Sequence, residues 1–198
     1  MKNLHLIAIA SALVLVTQAA HAASMQYTFS GNGSGSLAGT VFADSSFAIV
    51  GNADPANIAS CLFGCRYLDF AAASISIAGL GDFACVSPLR VFNNLGNLGL
   101  SRGGSEGADL YSVFSVPADY DFASSIGPLL GLELAGLFQW QGIASSGLAD
   151  VLTSAGVLVF NDGDSDGSFS AQDVPLPSAV WLLGSALIAG AVLGRRLV

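Results

Sequence analysis

The sequence predicts an all-β fold, a two-layer β-sandwich with a jelly roll as the related form. Between Ser24 and Ala171 the apolar residues occur in short runs separated by Gly, Asn, Asp and Ser, and almost no window maintains a helical period. The segments Tyr27–Phe29 and Phe114–Val116 alternate between apolar and polar residues, as half-buried strands do. Many short strands in about 150 residues most often close into such a fold.

Each predicted strand is an apolar run between turn-forming residues. We predict strands at 25–30, 36–42, 46–50, 67–77, 82–86, 89–93, 98–101, 110–116, 130–141, 156–160 and 168–171. Residues 143–154 are the best helix candidate. Tight turns are predicted at Asn32-Gly33, Asp54-Pro55, Arg102-Gly103-Gly104 and Gly127-Pro128. Aromatic residues should supply the core: Phe29, Phe42, Phe47, Phe70, Phe83, Phe92, Phe114, Phe138, Trp140 and Phe160.

The first 22 residues have the three regions of a secretory signal peptide. Lys2 is followed by an apolar run from Leu4 to Val16 and by the small-residue triplet Ala20-His21-Ala22. Signal peptidase is expected to cut between Ala22 and Ala23. The alternative, an uncleaved anchor, is disfavoured because the run is short and ends at a cleavage-type triplet. The exported sandwich domain is then predicted at 23–160.

The last 25 residues, 174–198, have the pattern of a membrane segment. The run from Leu176 to Leu193 would reach roughly 26 Å as a helix, slightly less than the hydrocarbon thickness of a bilayer. We predict one transmembrane helix at about 178–194, with Trp181 near the lipid headgroups. Arg195 and Arg196 follow it and resist translocation, which places the C-terminus in the cytoplasm and the body outside.

This order of parts resembles the PEP-CTERM sorting signal, in which a proline motif precedes a Trp-containing helix and a terminal basic cluster. The motif here is Val174-Pro175-Leu176-Pro177, with Leu where the family has Glu. The resemblance implies recognition and cleavage near the prolines by an exosortase-type membrane protease. It also implies a transient stay in the inner membrane, followed by delivery to the cell surface or to an exopolysaccharide matrix. An ordinary single-span anchor is the alternative.

The charge distribution argues against nucleic acid as a partner. Between the two terminal segments, three arginines face 14 acidic residues, which gives a formal charge of −11. A phosphate-binding surface needs the opposite sign. Polysaccharide, cations and other proteins stay open as partners.

Three cysteines, Cys61, Cys65 and Cys85, lie in the exported part, where oxidation is the default. A Cys61–Cys65 bridge is the first expectation and Cys65–Cys85 the second. Zinc is disfavoured because the exported part has no histidine.

A calcium loop is the sharpest cofactor hypothesis, although no cofactor is required by the sequence. Asp162, Asp164, Asp166, Ser168 and Asp173 occupy positions 1, 3, 5, 7 and 12 of a twelve-residue calcium loop. Asp replaces the usual Glu at position 12, and Pro175 follows closely. The alternative reading of 161–173 is a flexible acidic linker between the domain and the tail.

The sequence contains two patterns that resemble catalytic sites, but we expect no enzymatic activity. Gly99-Leu-Ser101-Arg-Gly103 matches a nucleophile elbow, but both histidines lie in the signal peptide, so no imidazole remains to activate the serine. A glycosidase would need two facing carboxylates. The candidates are Glu106, Asp109, Asp119, Asp121, Glu133 and Asp150.

The sequence therefore predicts a non-enzymatic exported protein with a structural or adhesive role in the envelope or the exopolysaccharide matrix. The alternative is a carbohydrate-binding module, with or without calcium, whose aromatic rings stack on sugars. Its candidate platforms are Tyr67, Tyr111, Tyr120 and Trp140.

Overall fold

The structure is a computed structural model, and it describes residues 24–61, 64–103, 109–114, 117–134, 140, 149–161 and 167–174. The all-β prediction is confirmed for these residues. The strands are β1 Ser24–Leu37, β2 Thr40–Ala53, β3 Ala59–Ser60, β4 Arg66–Asp69, β5 Ala72–Ile77, β6 Gly81–Ala84, β7 Leu89–Asn94, β8 Asn97–Arg102, β9 Asp109–Phe114, β10 Ile126–Leu134, β11 Val151–Thr153, β12 Gly156–Phe160 and β13 Gly167–Val174. A short 3₁₀ helix, Pro55–Asn57, follows β2.

One continuous sheet connects most strands in the order β3-β4-β7-β8-β9-β10-β13-β1-β2-β5-β6. β11 pairs with β12, which pairs with the end of β1. Phe47 of β2 and Tyr111 of β9 lie four strands apart in this order, yet their ring centroids are only 5.8 Å apart. The sheet therefore folds back on itself. The apolar core lies between the two halves of the sheet.

β10 joins the two halves of the sheet. Its first part pairs with β13, from Ile126 opposite Ala171 to Leu132 opposite Gly167. Its last two residues pair instead with β9. The register shifts next to Gly131. Its φ of 85° is in the left-handed region, which glycine adopts at little steric cost. The bulge lets a single strand pass from one layer to the other.

The β1–β2 hairpin differs from its prediction. The strand predicted at 36–42 is wrong, because the chain reverses at Ala38-Gly39, between Leu37 and its partner Thr40. Both turn residues have positive φ, 50° and 84°, as a two-residue hairpin loop of type I′ requires. The turn predicted at Asn32-Gly33 is also wrong, since both residues lie inside β1 opposite Ser46 and Ser45.

Other local predictions had mixed outcomes. The Asp54-Pro55 turn is confirmed, and the Asp54 carboxylate accepts a 2.9 Å hydrogen bond from the Ala56 N–H. The turn predicted at Gly127-Pro128 is wrong, because these residues lie within β10. Of the helix predicted at 143–154, the structure describes residues 149–154. The helix prediction is wrong there, because Val151–Thr153 forms β11. Hydrogen bonds to β12 decide that conformation.

The core is built from aromatic side chains, as predicted, but with partly different members. Phe29, Phe42, Phe47, Phe92, Trp140 and Phe160 are buried, whereas Phe70 and Phe83 are half-buried. The side chains of Phe114 and Phe138 lie outside the described part. The prediction missed Tyr27, Tyr111, Tyr120, Phe122 and Phe169, all of which are buried.

Candidate binding face and predicted sites

The outer surface of five neighbouring strands, β13-β1-β2-β5-β6, is covered by small side chains, and we call it the small-residue face. The core-facing positions of these strands alternate with half-buried or exposed ones. The strand registers align the outward positions in rows across the sheet. The face consists of Ser168, Ser170 and Gln172 of β13, Gln26, Thr28 and Ser30 of β1, Ala48, Val50 and Asn52 of β2, Ala72, Ser74 and Ser76 of β5, and Asp82 and Ala84 of β6.

Hydrogen bonds between side chains order two rows of this face. Gln172 Nε2 donates to Gln26 Oε1 at 2.9 Å, and Gln26 Nε2 lies 3.5 Å from Asn52 Oδ1. At the other end, the hydroxyls of Ser30 and Ser168 are hydrogen-bonded at 2.8 Å. These bonds hold β13, β1 and β2 in register on the outer side, so the face is an ordered surface.

An open depression of about 600 Å³ borders this face where β13 meets β10. Ser125 to Pro128 line one side, and Ser170 to Gln172 line the other. The Ser125 hydroxyl lies 3.4 Å from Asp173 Oδ2 at its end. The polar groups of its lining residues are hydroxyl, amide and backbone atoms, and the Asp173 carboxylate lies at one end.

The predicted twelve-residue calcium loop does not form with Ser168 and Asp173 as ligands. Both belong to β13, and five residues of extended strand separate their Cα atoms by about 17 Å. Ligands of one calcium ion must all come within about 2.6 Å of it. Asp162, Asp164 and Asp166 lie outside the described residues, and within the described part no cluster of three or more acidic, Cys or His side chains is placed to hold a metal.

β13 also corrects the linker predicted at 161–173. Residues 167–174 form a strand between β10 and β1, and Phe169 and Ala171 are buried. The sheet therefore includes the second half of the predicted linker. It extends to Val174, the first residue of the predicted sorting motif.

The remaining predicted sorting and cleavage residues lie outside the described residues. They are Pro175, Leu176, Pro177, Trp181, Arg195 and Arg196 at the C-terminus, and Ala20, Ala22 and Ala23 at the N-terminus. In the part of the chain that the structure describes, no helix is long and apolar enough to cross a membrane.

The first-choice disulfide is confirmed. Cys61 and Cys65 are bonded, with their Cα atoms 5.0 Å apart, and the Cys61 N–H donates to the Cys65 carbonyl at 2.9 Å. The bridge closes the loop between β3 and β4. Cys85 is a free thiol, and the alternative pairing with Cys65 is wrong.

We expect Cys85 to react slowly with alkylating agents in the folded protein. Burial raises the pKa of this thiol to about 11. At pH 8 its thiolate fraction should be on the order of a hundredfold lower than that of an ordinary cysteine. Iodoacetamide labelling followed by mass spectrometry should show a rate that rises from pH 8 to pH 11. The same labelling in denaturant is the control, and equal rates at pH 8 in both conditions would contradict the expectation.

The aromatic platforms predicted for sugar binding are mostly in the core. Tyr111 and Trp140 are fully buried, and Tyr120 is 8% exposed. Burial, with a contribution from the Asp121 carboxylate, raises the pKa of Tyr120 well above its usual value. Tyr67 is half-buried, and the Arg90 guanidinium lies 4.2 Å from its ring centroid. A sugar ring would have to displace Arg90 from that side of Tyr67.

The serine-hydrolase pattern forms no nucleophile elbow. Ser101 is 3% exposed inside β8, where it pairs with Arg90 of β7 and Asp109 of β9. An elbow requires a turn that exposes the hydroxyl. Of the candidate acids for a glycosidase, Asp109, Asp119 and Asp121 are exposed, and Asp150 is half-buried. Glu106 and the side chain of Glu133 lie outside the described part.

The fold and its outer face define an all-β protein with an aromatic core and an ordered surface of small polar side chains. No family model, no curated protein and no solved structure matches this chain. Sequence reasoning missed the small-residue face, although the alternation of Gln26, Thr28 and Ser30 with apolar residues was visible. Only the strand order shows that five such strands are neighbours.

Proposed function

We propose that this chain is an exported, non-enzymatic protein of the cell surface or extracellular matrix. Its body would be a β-sandwich or jelly-roll-like domain with a structural role. A signal peptide would direct export. The C-terminal tail would hold the protein transiently in the inner membrane until an exosortase-type protease processes it.

The agreement of two sets of boundaries carries this proposal. The compact body extends from Ser24 to Asp173. The predicted signal peptide ends at Ala22, and the predicted sorting signal begins at Val174. The two signals were inferred from hydropathy and charge, whereas the body is defined by its internal contacts. Removal of both signals would therefore leave every described strand whole except β13, which would lose only its last residue, Val174.

The disulfide is a second support. A Cys61–Cys65 bridge is expected to persist in an oxidising compartment and to be reduced in the cytoplasm. Export explains the presence of such a bridge in a chain whose core is already rich in aromatic residues.

Intact-mass measurement of the full-length gene product tests the proposal. We would express it in a Gram-negative host with an exosortase-type protease and in the same host without it. The expected product begins at Ala23 and has lost the segment after the proline motif. In the host without the protease, the tail through Val198 should be retained in the membrane fraction.

A double substitution of Pro175→Ala and Pro177→Ala should slow this processing, whereas Pro55→Ala, far from the motif in sequence, should not. Identical masses in the two hosts would contradict the sorting role. A product recovered from the cytosol with Met1 still present would contradict export itself.

A further inference from the structure

We propose that β13 is a closing strand, and that the slot between β1 and β10 is a binding surface for one extended segment of this same chain, residues 167–174. Until that segment docks, the body is an open form in two parts. This inference concerns the folding of the body and goes beyond the proposed export and processing.

β13 is the joint between two groups of strands. One group is β3-β4-β7-β8-β9-β10, and the other is β1-β2-β5-β6 together with β11 and β12. Among the described strands, β10 pairs only with β9 and β13, and no other strand pairing connects the two groups. The apolar core lies between the two halves of the sheet. Loss of β13 would therefore leave the halves joined only by loops and by side-chain packing.

The inner side of the slot fits an alternating pattern of small and aromatic residues. Gly167, Phe169 and Ala171 face the core and are buried. The Phe169 ring centroid lies 4.9 Å from that of Phe29 in β1, and Leu129 of β10 is opposite Phe169 in the register. Without β13, these apolar surfaces would face water, which costs free energy in proportion to their area. The empty slot is therefore an apolar groove with a sheet edge on each side.

Polar contacts and one close backbone approach fix the register of the segment in the slot. The hydroxyls of Ser168 and Ser30 are hydrogen-bonded at 2.8 Å, and Gln172 Nε2 donates to Gln26 Oε1 at 2.9 Å. A Cβ added at Gly127 of β10 would lie 2.5 Å from a carbonyl oxygen of β13, so only glycine leaves room there. Strand addition of this kind obtains affinity from the backbone and specificity from alternate side chains. The slot should therefore select one extended sequence in one register.

β13 should be the last strand to dock. It is the last described strand in the chain and pairs with the first, and its two side-chain contacts to β1 join residues 138 and 146 positions apart. Closing a loop of that length costs more chain entropy than closing the β1–β2 hairpin, where Leu37 pairs with Thr40 across two residues. In a chain exported from its N-terminus, the slot would stay open until Val174 has crossed the membrane.

Peptide complementation in the full chain, kept in detergent, tests the slot. Phe169→Asp should prevent the chain's own β13 from docking, because a carboxylate is costly at a buried position. Limited proteolysis of this variant should be about tenfold faster than that of the wild type, or more. A synthetic peptide with the sequence of residues 167–174, added in large excess, should restore most of the resistance. The same peptide with Asp in place of Phe169 is the control and should not. Wild-type resistance of the variant, or an equal response to the two peptides or to neither, would overturn the proposal.

Disulfide trapping tests the order of docking without disrupting the core. On the outer face, Ser30 has a neighbour on each side, Ala48 of β2 and Ser168 of β13. In the full chain with Cys85→Ser, Ser30→Cys should form a disulfide with either Ala48→Cys or Ser168→Cys once the body is folded. During refolding with pulses of oxidant, the bond to position 48 should form about tenfold faster than the bond to position 168, or more. Equal rates, or no bond to position 168 in the folded chain, would overturn the proposal. Neither test depends on cleavage of the tail, so failure of the proposed processing would remain distinguishable.

Discussion

Replacement of Asn93 with aspartate is expected to lower the free energy of unfolding by about 3–5 kcal/mol at neutral pH. Asn93 is 1% exposed, and its Nδ2 lies between 3.2 and 3.4 Å from the carbonyl oxygens of Pro117, Ala118 and Tyr120. Its Oδ1 accepts the Gly96 N–H at 2.9 Å. Aspartate has nearly the same shape but no N–H, so a buried carboxylate would face three carbonyl oxygens.

The pH dependence of this loss identifies its cause. Burial and the nearby carbonyl oxygens should raise the folded-state pKa of the introduced carboxyl above its unfolded value of about 4. The variant should therefore be closest to wild type below pH 4, where the carboxyl is neutral in both states. Its deficit should grow as the pH rises through the raised folded-state pKa.

Urea unfolding at pH 4 and pH 7 measures this effect, with Asn94→Asp as the matched control. Asn94 is the next residue of β7 and is exposed. Its substitution is expected to change stability by about 0.5 kcal/mol or less. A similar loss for both variants, or a loss at position 93 that does not depend on pH, would contradict the role assigned to the Asn93 amide.

Phe169→Ala is expected to reduce the free energy of unfolding by about 3–5 kcal/mol. Phe169 is fully buried, and its ring centroid lies 4.9 Å from that of Phe29. β13 is an interior strand between β10 and β1, so the sheet cannot close around a collapsed cavity without moving both neighbours. The full-length chain, followed by thermal or urea unfolding, is suitable for the measurement.

Ser170→Ala, one residue further along the strand, is the control for Phe169→Ala. Ser170 points away from the core and is half-buried. Removal of its hydroxyl should therefore change the free energy of unfolding by about 0.5 kcal/mol or less. If 167–174 were a flexible linker, both substitutions would have small effects. A small effect of Phe169→Ala would therefore contradict the assignment of β13 to the folded body.

β1 and the turn after it show what the local sequence pattern predicts and what it does not. The alternation of Tyr27, Thr28 and Phe29 predicts a strand with one buried face, and the structure has it. The hairpin turn was missed because Ala38 gives no turn signal, although its φ is 50°. A distant contact supports this conformation, since the Ala38 N–H donates to the Val157 carbonyl at 2.8 Å.

Aromatic residues show a second limit of local reasoning. Tyr67 and Tyr111 look equivalent in the sequence, yet Tyr111 is fully buried and Tyr67 lies beneath Arg90. Which face of a strand becomes internal depends on its register with its neighbours. The Tyr111 hydroxyl also finds a partner in the Ser30 carbonyl at 3.0 Å, and that partner is 81 residues away.

Composition and local pattern were enough to indicate a β-rich body with an aromatic core and to rank a Cys61–Cys65 bridge ahead of Cys65–Cys85, because alternation and short loop closure are properties of neighbouring residues. Tertiary structure alone decided that β13 is an interior strand and that small side chains from five strands form one surface. These features depend on pairing between distant segments, such as Ser168 with Ser30, and local preferences contain no information about that pairing.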